Sequence, residues 1–151
     1  MKTILSLVFL SCLFLLNTAC DKCKHIACTP PPTEFNFQLI DKDSGEDLVA
    51  NGTYNADEIS VFSIAKNKKH ELVLSTDSMA YFFKDQEIGW ETGPENASYE
   101  LRLNPVTVLP FYYESKESKD GCCTFFELVK FEIDEAEQAY IPAQNLFQLK
   151  L

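Results

Sequence analysis

The stretch Phe35-Asn36-Phe37-Gln38-Leu39-Ile40 decides the fold class, because its large apolar residues recur at every second position. Side chains of a β-strand point alternately to the two faces of a sheet, so this spacing puts Phe35, Phe37 and Leu39 on one face. The stretch therefore predicts a half-buried β-strand, which ends where the polar segment Asp41 to Asp47 turns the chain.

Similar short runs follow this strand along the rest of the chain. Further strands are predicted over 59–64, 72–74, 79–84, 98–103, 105–113, 123–133 and 145–151. No window of ten or more residues has a convincing helical stripe of apolar residues. Eight runs at a spacing of about ten residues predict an all-β fold, an antiparallel β-sandwich of about seven or eight strands. The sandwich would be Ig-like or transthyretin-like in general form, and a small barrel is the alternative.

The N-terminus has the three parts of a secretory signal. Lys2 gives a positive start, the thirteen residues from Ile4 to Leu16 carry no charge, and Thr18-Ala19 supplies small side chains. The uncharged run is shorter than the roughly 20 residues that a membrane-spanning helix needs. We therefore predict that residues 1–19 are a signal peptide.

Cys20 follows Thr18-Ala19 directly, which is the arrangement at which bacterial lipoproteins are cleaved and acylated. Asn17 departs from that pattern, because a branched apolar residue is usual three positions before the cysteine. We predict lipidation of Cys20. Each buried methylene of an acyl chain contributes about 0.8 kcal/mol, so two or three long chains would hold the protein on its membrane essentially permanently.

The composition of residues 20–151 indicates a tether followed by one acidic domain. Residues 20–33 are polar and end in a proline triplet, which favours an extended tether, and residues 34–151 are the predicted sandwich domain. Without residues 1–19 the chain has 132 residues, a length typical of one domain. Its 12 Lys and Arg stand against 23 Asp and Glu, a formal charge of −11. Such an acidic surface argues against a nucleic-acid partner.

Four cysteines remain after Cys20, namely Cys23, Cys28, Cys122 and Cys123. They permit three pairings. Closure of Cys122 onto Cys123 is disfavoured, because neighbouring Cα atoms lie about 3.8 Å apart and disulfides usually need roughly 4.4–6.8 Å. We predict disulfides from the tether to the 122–123 pair and leave the choice of partners open.

The same four thiols, together with His25, could instead form a metal site. Zinc sites usually present pairs of cysteines separated by two to four residues, whereas the second pair here is contiguous. The oxidising compartment outside the cytoplasm also favours disulfides. No metal site is therefore predicted at the thiols.

The acidic segment from Asp41 to Asp47 places oxygen ligands at alternate positions, which is a pattern that Ca²⁺ binds. The EF-hand spacing fails because Gly45 occupies the place of the third ligand. Asp43-Ser44-Gly45 matches what a turn requires, since Asp and Ser bond nearby backbone and Gly accepts a positive φ. We predict a turn without a metal ion.

The sequence offers little for catalysis. Its only histidines are His25 in the tether and His70 at a predicted strand start. There is no Gly-x-Ser-x-Gly motif and no phosphate-cradling loop. The carboxylate clusters at Asp57-Glu58 and in 134–137 resemble solvated turns. We predict no enzyme, no catalytic residues and no cofactor.

Two aromatic segments could contact a partner. Trp90, the only tryptophan, lies among polar and flexible residues, and Tyr112 and Tyr113 adjoin a predicted charged loop. Such side chains could stack on a glycan or anchor a protein partner. The alternative is that they fill the core, which is what most aromatics do in a small sandwich.

Several of these segments resemble a family of small uncharacterised lipoproteins common in Bacteroidota. The matching pieces are Cys20 to Cys28 with the following prolines, Asp41 to Leu48, Ile88-Gly89-Trp90, and Cys122-Cys123-Thr124-Phe125. The resemblance implies lipidation at Cys20 and a place at the cell surface or in the periplasm. It implies no activity, since the family has no assigned function.

If the phylum is as the resemblance implies, the triplet Asp77-Ser78-Met79 resembles a short O-glycosylation motif, with Ser78 as the acceptor. The combined expectation is a lipid-anchored protein of the cell envelope, on the outer membrane rather than the inner, that acts by binding or structural display. The alternatives are a metal-binding or redox lipoprotein that uses the four thiols, and a small inhibitor or immunity protein for an extracytoplasmic enzyme.

Overall fold

The computed structural model describes residues 30–77 and 80–151. Its strands are β1 (Phe35–Ile40), β2 (Ser60–Ser63), β3 (Lys68–Lys69), β4 (Leu72–Asp77), β5 (Ala80–Asp85), β6 (Ser98–Arg102), β7 (Val108–Asp120), β8 (Cys123–Ile133), β9 (Glu137–Ile141) and β10 (Leu146–Lys150). Four 3-10 helices of three residues each cover Ala56–Glu58, Ile88–Trp90, Pro94–Asn96 and Pro142–Gln144. No helix within the described ranges is long and apolar enough to cross a membrane. The predicted all-β class is confirmed.

The strands form two five-stranded sheets that enclose one core, so the predicted β-sandwich is confirmed. Sheet 1 has the order β4-β5-β1-β10-β9, and sheet 2 has the order β3-β2-β6-β7-β8. The pairing of β1 with β10 is parallel, with Phe37 opposite Phe147, and the other strand pairs are antiparallel. β1 is thus a central strand, and its apolar face lies wholly inside the sandwich.

Phe35 lies at the centre of an aromatic core built by both sheets. Its ring centroid is 5.0–5.7 Å from those of five other rings, Phe37 and Phe147 of sheet 1 and Phe111, Tyr113 and Phe131 of sheet 2. Only 1% of Phe35 is exposed. Offset and edge-on ring pairs at such distances add about 0.5–1.5 kcal/mol each to the gain from burial. The period-two pattern of the first strand therefore predicted its buried face correctly.

The strand count differs from the expected seven or eight, since ten strands lie in the described residues. β3 consists of only two lysines, which lie between the predicted strands 59–64 and 72–74. β9 begins at Glu137, at the edge of a predicted acidic turn. It closes an edge of sheet 1, and exposed residues occur on both of its faces, so its sequence has little apolar alternation.

β7 also extends further than expected, through the charged residues 114–120 that were predicted as a loop. Beyond Tyr112 its only strand partner is β8, and the two strands form an arm that we call the hairpin arm (115–128). At the base of the arm Ser115 also forms an isolated bridge with Thr92. A two-residue turn, Gly121-Cys122, joins the strands, and the φ of +58° at Gly121 suits the first position of such a turn. A β-bulge between Glu114 and Ser115 separates the arm from the sheet.

The segment before β1 joins the domain earlier than the predicted boundary at residue 34. Pro32 is buried, and the hydroxyl of Tyr113 donates to the carbonyl oxygen of Thr33 at 3.2 Å. Contacts with the sandwich therefore begin at Pro32, two residues before the predicted start.

The predicted turn at 41–47 is confirmed. Asp41 Oδ1 accepts hydrogen bonds from the backbone N–H groups of Asp43 and Ser44 and from the Ser44 hydroxyl, at 2.7–3.1 Å. Gly45 has a φ of +75°. The carboxylate oxygen that a calcium site would use thus closes the turn instead.

Candidate functional site

Trp90 and Tyr140 are the two aromatic side chains of the described surface that are about half exposed, and Trp90 is the larger. It ends the 3-10 helix Ile88–Trp90, and 50% of it is exposed. Its indole packs edge-on against Phe126 of the hairpin arm, with the ring centroids 4.9 Å apart. We call Trp90 and Phe126 together the Trp90–Phe126 surface. Of the two alternatives left open for Trp90, an exposed ring or a core ring, the structure shows the exposed one.

Close packing against the segment before β1 fixes one side of this surface. A Cβ atom at Gly89 would lie 2.6 Å from Pro32 Cβ and 2.9 Å from the Thr33 carbonyl oxygen, so only glycine allows this approach. The Gly89 carbonyl accepts a hydrogen bond from the Ser115 hydroxyl at 3.0 Å. Trp90 is thus held between the start of the domain and the base of the hairpin arm.

Asp85, at the end of β5, fixes the start of the same 3-10 helix. Its Oδ1 accepts the backbone N–H groups of Glu87 at 2.9 Å and Ile88 at 3.1 Å. These are donors that a helix start leaves unpaired, so the carboxylate acts as a cap. Asp85 is fully buried, so each of these charge-assisted hydrogen bonds is stronger than it would be in water.

His70 lies between Asp85 and Glu91 with both ring nitrogens engaged. Nδ1 is 2.6 Å from Asp85 Oδ2, and Nε2 is 3.3 Å from Glu91 Oε1. The side chains of His70 and Asp85 are fully buried, and that of Glu91 is 11% exposed. A protonated imidazole has two N–H donors, which this pair of carboxylates accepts.

Two hydroxyl groups complete this arrangement, which we call the polar cluster (His70, Asp85, Glu91, Ser63 and Tyr99). Glu91 Oε2 accepts from the Ser63 hydroxyl at 2.8 Å and from the Tyr99 hydroxyl at 3.1 Å. Ser63 and Tyr99 belong to sheet 2, whereas Asp85 ends a strand of sheet 1. The polar cluster therefore connects the two sheets through Glu91, the residue that follows Trp90.

The charges of the cluster raise the pKa of His70. Burial on its own lowers this pKa, but the hydrogen bond to Asp85 and the negative charges of Asp85, Glu91 and Glu87 outweigh it. Burial, followed by the charge of Glu91, moves the pKa of Tyr99 far above its usual range. Its hydroxyl stays protonated and remains a donor to Glu91.

A cleft of about 580 Å³ lies beside His70. It is lined by Ala56, Asp57, Ile59, Lys69, Glu71, Leu72, Leu74 and Phe83 in addition to the histidine. Since both nitrogens of His70 are already bonded to carboxylates, the ring offers the cleft neither a free lone pair nor a free proton. The chemistry of the cluster is thus suited to holding the 86–91 loop in place.

The tyrosine pair that was predicted together with Trp90 lies elsewhere and is divided between two environments. Tyr113 is 1% exposed and stacks in the core, so it cannot contact a partner in the folded domain. This corrects its assignment as a surface residue. Tyr112 is half-buried on the outer face of sheet 2, where its hydroxyl donates to Glu114 and the Lys130 ammonium lies 5.3 Å from its ring. Neither tyrosine joins the Trp90–Phe126 surface.

The predicted cysteine and modification sites fall partly outside the described residues. Cys122 lies in the turn of the hairpin arm and Cys123 begins β8. Cys20, Cys23, Cys28 and Ser78 lie outside the described ranges, so lipidation, disulfide pairing and O-glycosylation stay predictions.

Within 30–77 and 80–151, no group of three or more His, Cys, Asp or Glu side chains is arranged to hold a metal ion.

The two acidic segments that were considered for acid–base chemistry lie in turns or at strand ends. Asn55 caps the short helix that holds Asp57 and Glu58, and Glu137 pairs with Lys42 at 2.5 Å on the surface.

Comparison with known proteins finds no match for this chain among protein-family models, curated proteins or solved structures.

Sequence reasoning found Trp90 but missed Phe126 and the polar cluster. His70, Asp85 and Glu91 follow no motif spacing, and they come together only when the two sheets pack. A histidine at the start of an apolar strand was the one available signal, because such a ring must find partners when it is buried.

Proposed function

We propose that this protein is a lipid-anchored component of the cell envelope that acts by contact through the Trp90–Phe126 surface. The observation that carries the proposal is that Trp90 is half exposed and yet held in place by neighbours on several sides. The envelope would be that of a bacterium, with the domain in the periplasm or at the cell surface and on the outer membrane rather than the inner.

Support for the anchor comes from the N-terminal sequence. Lys2, the uncharged run from Ile4 to Leu16 and the small pair Thr18-Ala19 precede Cys20 in the order that lipoprotein processing requires. The polar residues 21–29 then separate the lipid from a domain whose contacts begin at Pro32. Because a permanent anchor keeps the domain at its membrane, a single small contact surface is sufficient for binding there.

Support for contact comes from the physical state of Trp90. Tryptophan has a large apolar surface, a polar N–H and few rotatable bonds, so it loses little conformational entropy when it binds. The 86–91 loop is already fixed by the polar cluster and by Pro32, which further reduces the entropy that binding would cost. A loop without this support would lose much more freedom.

The contact proposal also accounts for the buried histidine better than a catalytic role does. A general base needs a nitrogen within reach of the proton that it removes. In His70 both nitrogens are bonded to carboxylates, and the side chain is fully buried. The histidine instead supports the loop that presents Trp90.

The mass of the mature protein tests the anchor. We expect the chain from the membrane fraction to begin at Cys20 and to carry a diacylglycerol group, with or without a further acyl chain. A Cys20→Ala variant should remain unprocessed or leave the acylated fraction. The matched control is Cys12→Ala, since that cysteine lies in the segment that is removed. A mature chain with an unmodified Cys20 would refute the proposal.

A further inference from the structure

The Trp90–Phe126 surface lies at the end of the sandwich from which the tether leaves. Gly89 packs directly on Pro32, and the next residue is Trp90. The hairpin arm, which supplies Phe126, extends at the same end, because Ser115 at its base bonds Gly89. Pro32, the residue that follows the segment 20–31, therefore lies beside the 3-10 helix that carries Trp90.

We infer that the Trp90–Phe126 surface rests on the bilayer that holds the acyl chains of Cys20. The inference relies on the proposed lipid anchor and adds a partner for the surface, namely the polar–apolar boundary of a membrane. The sandwich is thereby held with one end on the lipid and the opposite end outward.

The length of the tether keeps the surface close to the membrane. The twelve residues 20–31 can span at most roughly 40 Å, because an extended chain covers about 3.3–3.6 Å per residue. A short linker of this kind gives the linked surface an effective concentration on the order of millimolar. A contact too weak to hold the free domain is then occupied for most of the time.

The chemistry of the two rings suits the lipid boundary. Tryptophan is enriched at the level of lipid headgroups, where its ring is apolar and its N–H stays hydrated. The mature chain carries a formal charge of −11, so anionic lipid does not attract it. The contact is apolar, and we expect it to be strongest on uncharged or zwitterionic lipid.

The opposite end of the sandwich provides an internal comparison. Val106 lies in the turn between β6 and β7, which is at the far end of β7 from Ser115. It is 89% exposed, more than Trp90, but no tether leaves beside it. If exposure alone decided which end contacts the membrane, Val106 would be the contact residue. Proximity to the anchor instead makes Trp90 the contact residue.

The single tryptophan of the chain makes the inference directly measurable. Mature lipidated protein is inserted into phosphatidylcholine vesicles, and flotation first confirms that it is anchored. We expect the emission of Trp90 to lie at shorter wavelength than in the unlipidated protein, and to be quenched when the phosphatidylcholine carries bromine on its acyl chains near the headgroup. Protein that floats with unquenched Trp90 overturns the inference and leaves the proposed anchor intact. Protein that does not float refutes the anchor.

A relocated tryptophan gives the matched control. In a Trp90→Phe, Val106→Trp double variant the reporter lies at the opposite end of the sandwich, and we expect brominated lipid to leave its emission unchanged. Equal quenching at both positions would mean that the domain has no fixed end on the membrane, and it would overturn the inference. The measurement on the unmodified sequence does not depend on the folding of this variant.

Discussion

The aromatic core around Phe35 and the Trp90–Phe126 surface use the same kind of side chain in opposite ways. Phe35 is 1% exposed and lies among five rings from both sheets. Trp90 is 50% exposed and packs on one ring, and its backbone is fixed by Pro32, Ser115 and the polar cluster. Burial of apolar surface stabilises the core, whereas hydrogen bonds from polar groups fix the loop that carries the exposed Trp90 ring.

This division explains why so many polar side chains are buried in a small sandwich. A buried carboxylate is costly unless it is paired and hydrogen-bonded. Asp85 accepts three bonds, from Glu87, Ile88 and His70, and so meets that condition. Damage to the core and damage to the polar cluster should therefore have different consequences for Trp90.

The largest expected effect is that of Phe35→Ala. Loss of a fully buried phenyl ring leaves a cavity, and we expect the free energy of unfolding to fall by about 3–5 kcal/mol in urea denaturation. A loss below about 1 kcal/mol would contradict the central position assigned to Phe35.

Glu91→Gln should have the next largest effect, on both stability and the loop. The change keeps the shape of the side chain and removes one of the two carboxylate charges that His70 contacts, so we expect a loss of about 1–3 kcal/mol in the free energy of unfolding. We also expect acrylamide to quench Trp90 more readily, because its loop is less well held. Glu95→Gln, at an exposed position in the following 3-10 helix Pro94–Asn96, is the matched control and should change neither property. If both variants behave alike, the polar cluster does not position Trp90.

The stability of the domain should also depend on the charge of His70. Its pKa in the folded protein is raised above the value near 6.5 of an unperturbed histidine. The stabilisation that protonated His70 gives to the folded state is therefore complete below pH 6.5, and it is lost as the pH rises through the raised pKa. We expect the urea midpoint to decrease over that interval. The imidazole signals of His70, followed by NMR, should titrate above the unperturbed value near 6.5, and a titration below that value would contradict the prediction.

Phe126→Ala should have the smallest effect on stability and a clear effect on the surface. Loss of one edge-on aromatic pair costs about 0.5–1.5 kcal/mol. We expect the emission of Trp90 to move to longer wavelength, since its ring becomes more hydrated. Phe125→Ala alters a similar ring on the other face of β8 and should leave the emission unchanged. A shift in the Phe125 variant alone would contradict the observed packing.

Much of the fold could be predicted because its central strands alternate strongly. The six residues of β1 are enough to predict which of its faces is buried. The charged part of β7 could not be predicted in the same way. In the hairpin arm both faces are largely open to solvent, so the strand is maintained by pairing with β8 instead of by apolar alternation.

The site was less predictable than the fold for a related reason. Trp90 was recognisable as a lone tryptophan in a polar segment. Its neighbour Phe126 lies 36 positions away, and the contact depends on how far β7 continues and where the arm turns. The assignment of Tyr113 to the surface was wrong because adjacent strand residues face opposite sides, and the single sequence does not say which side is the core.

Photo-crosslinking in intact cells tests the central claim most directly. A photoreactive benzophenone amino acid replaces Trp90 in the full-length protein, and a parallel variant carries it at Val106. We predict lipid adducts on the mature chain at position 90 and none at position 106. Adducts to a protein or a glycan at position 90, or lipid adducts at position 106 alone, would contradict the claim that the Trp90 end rests on the membrane.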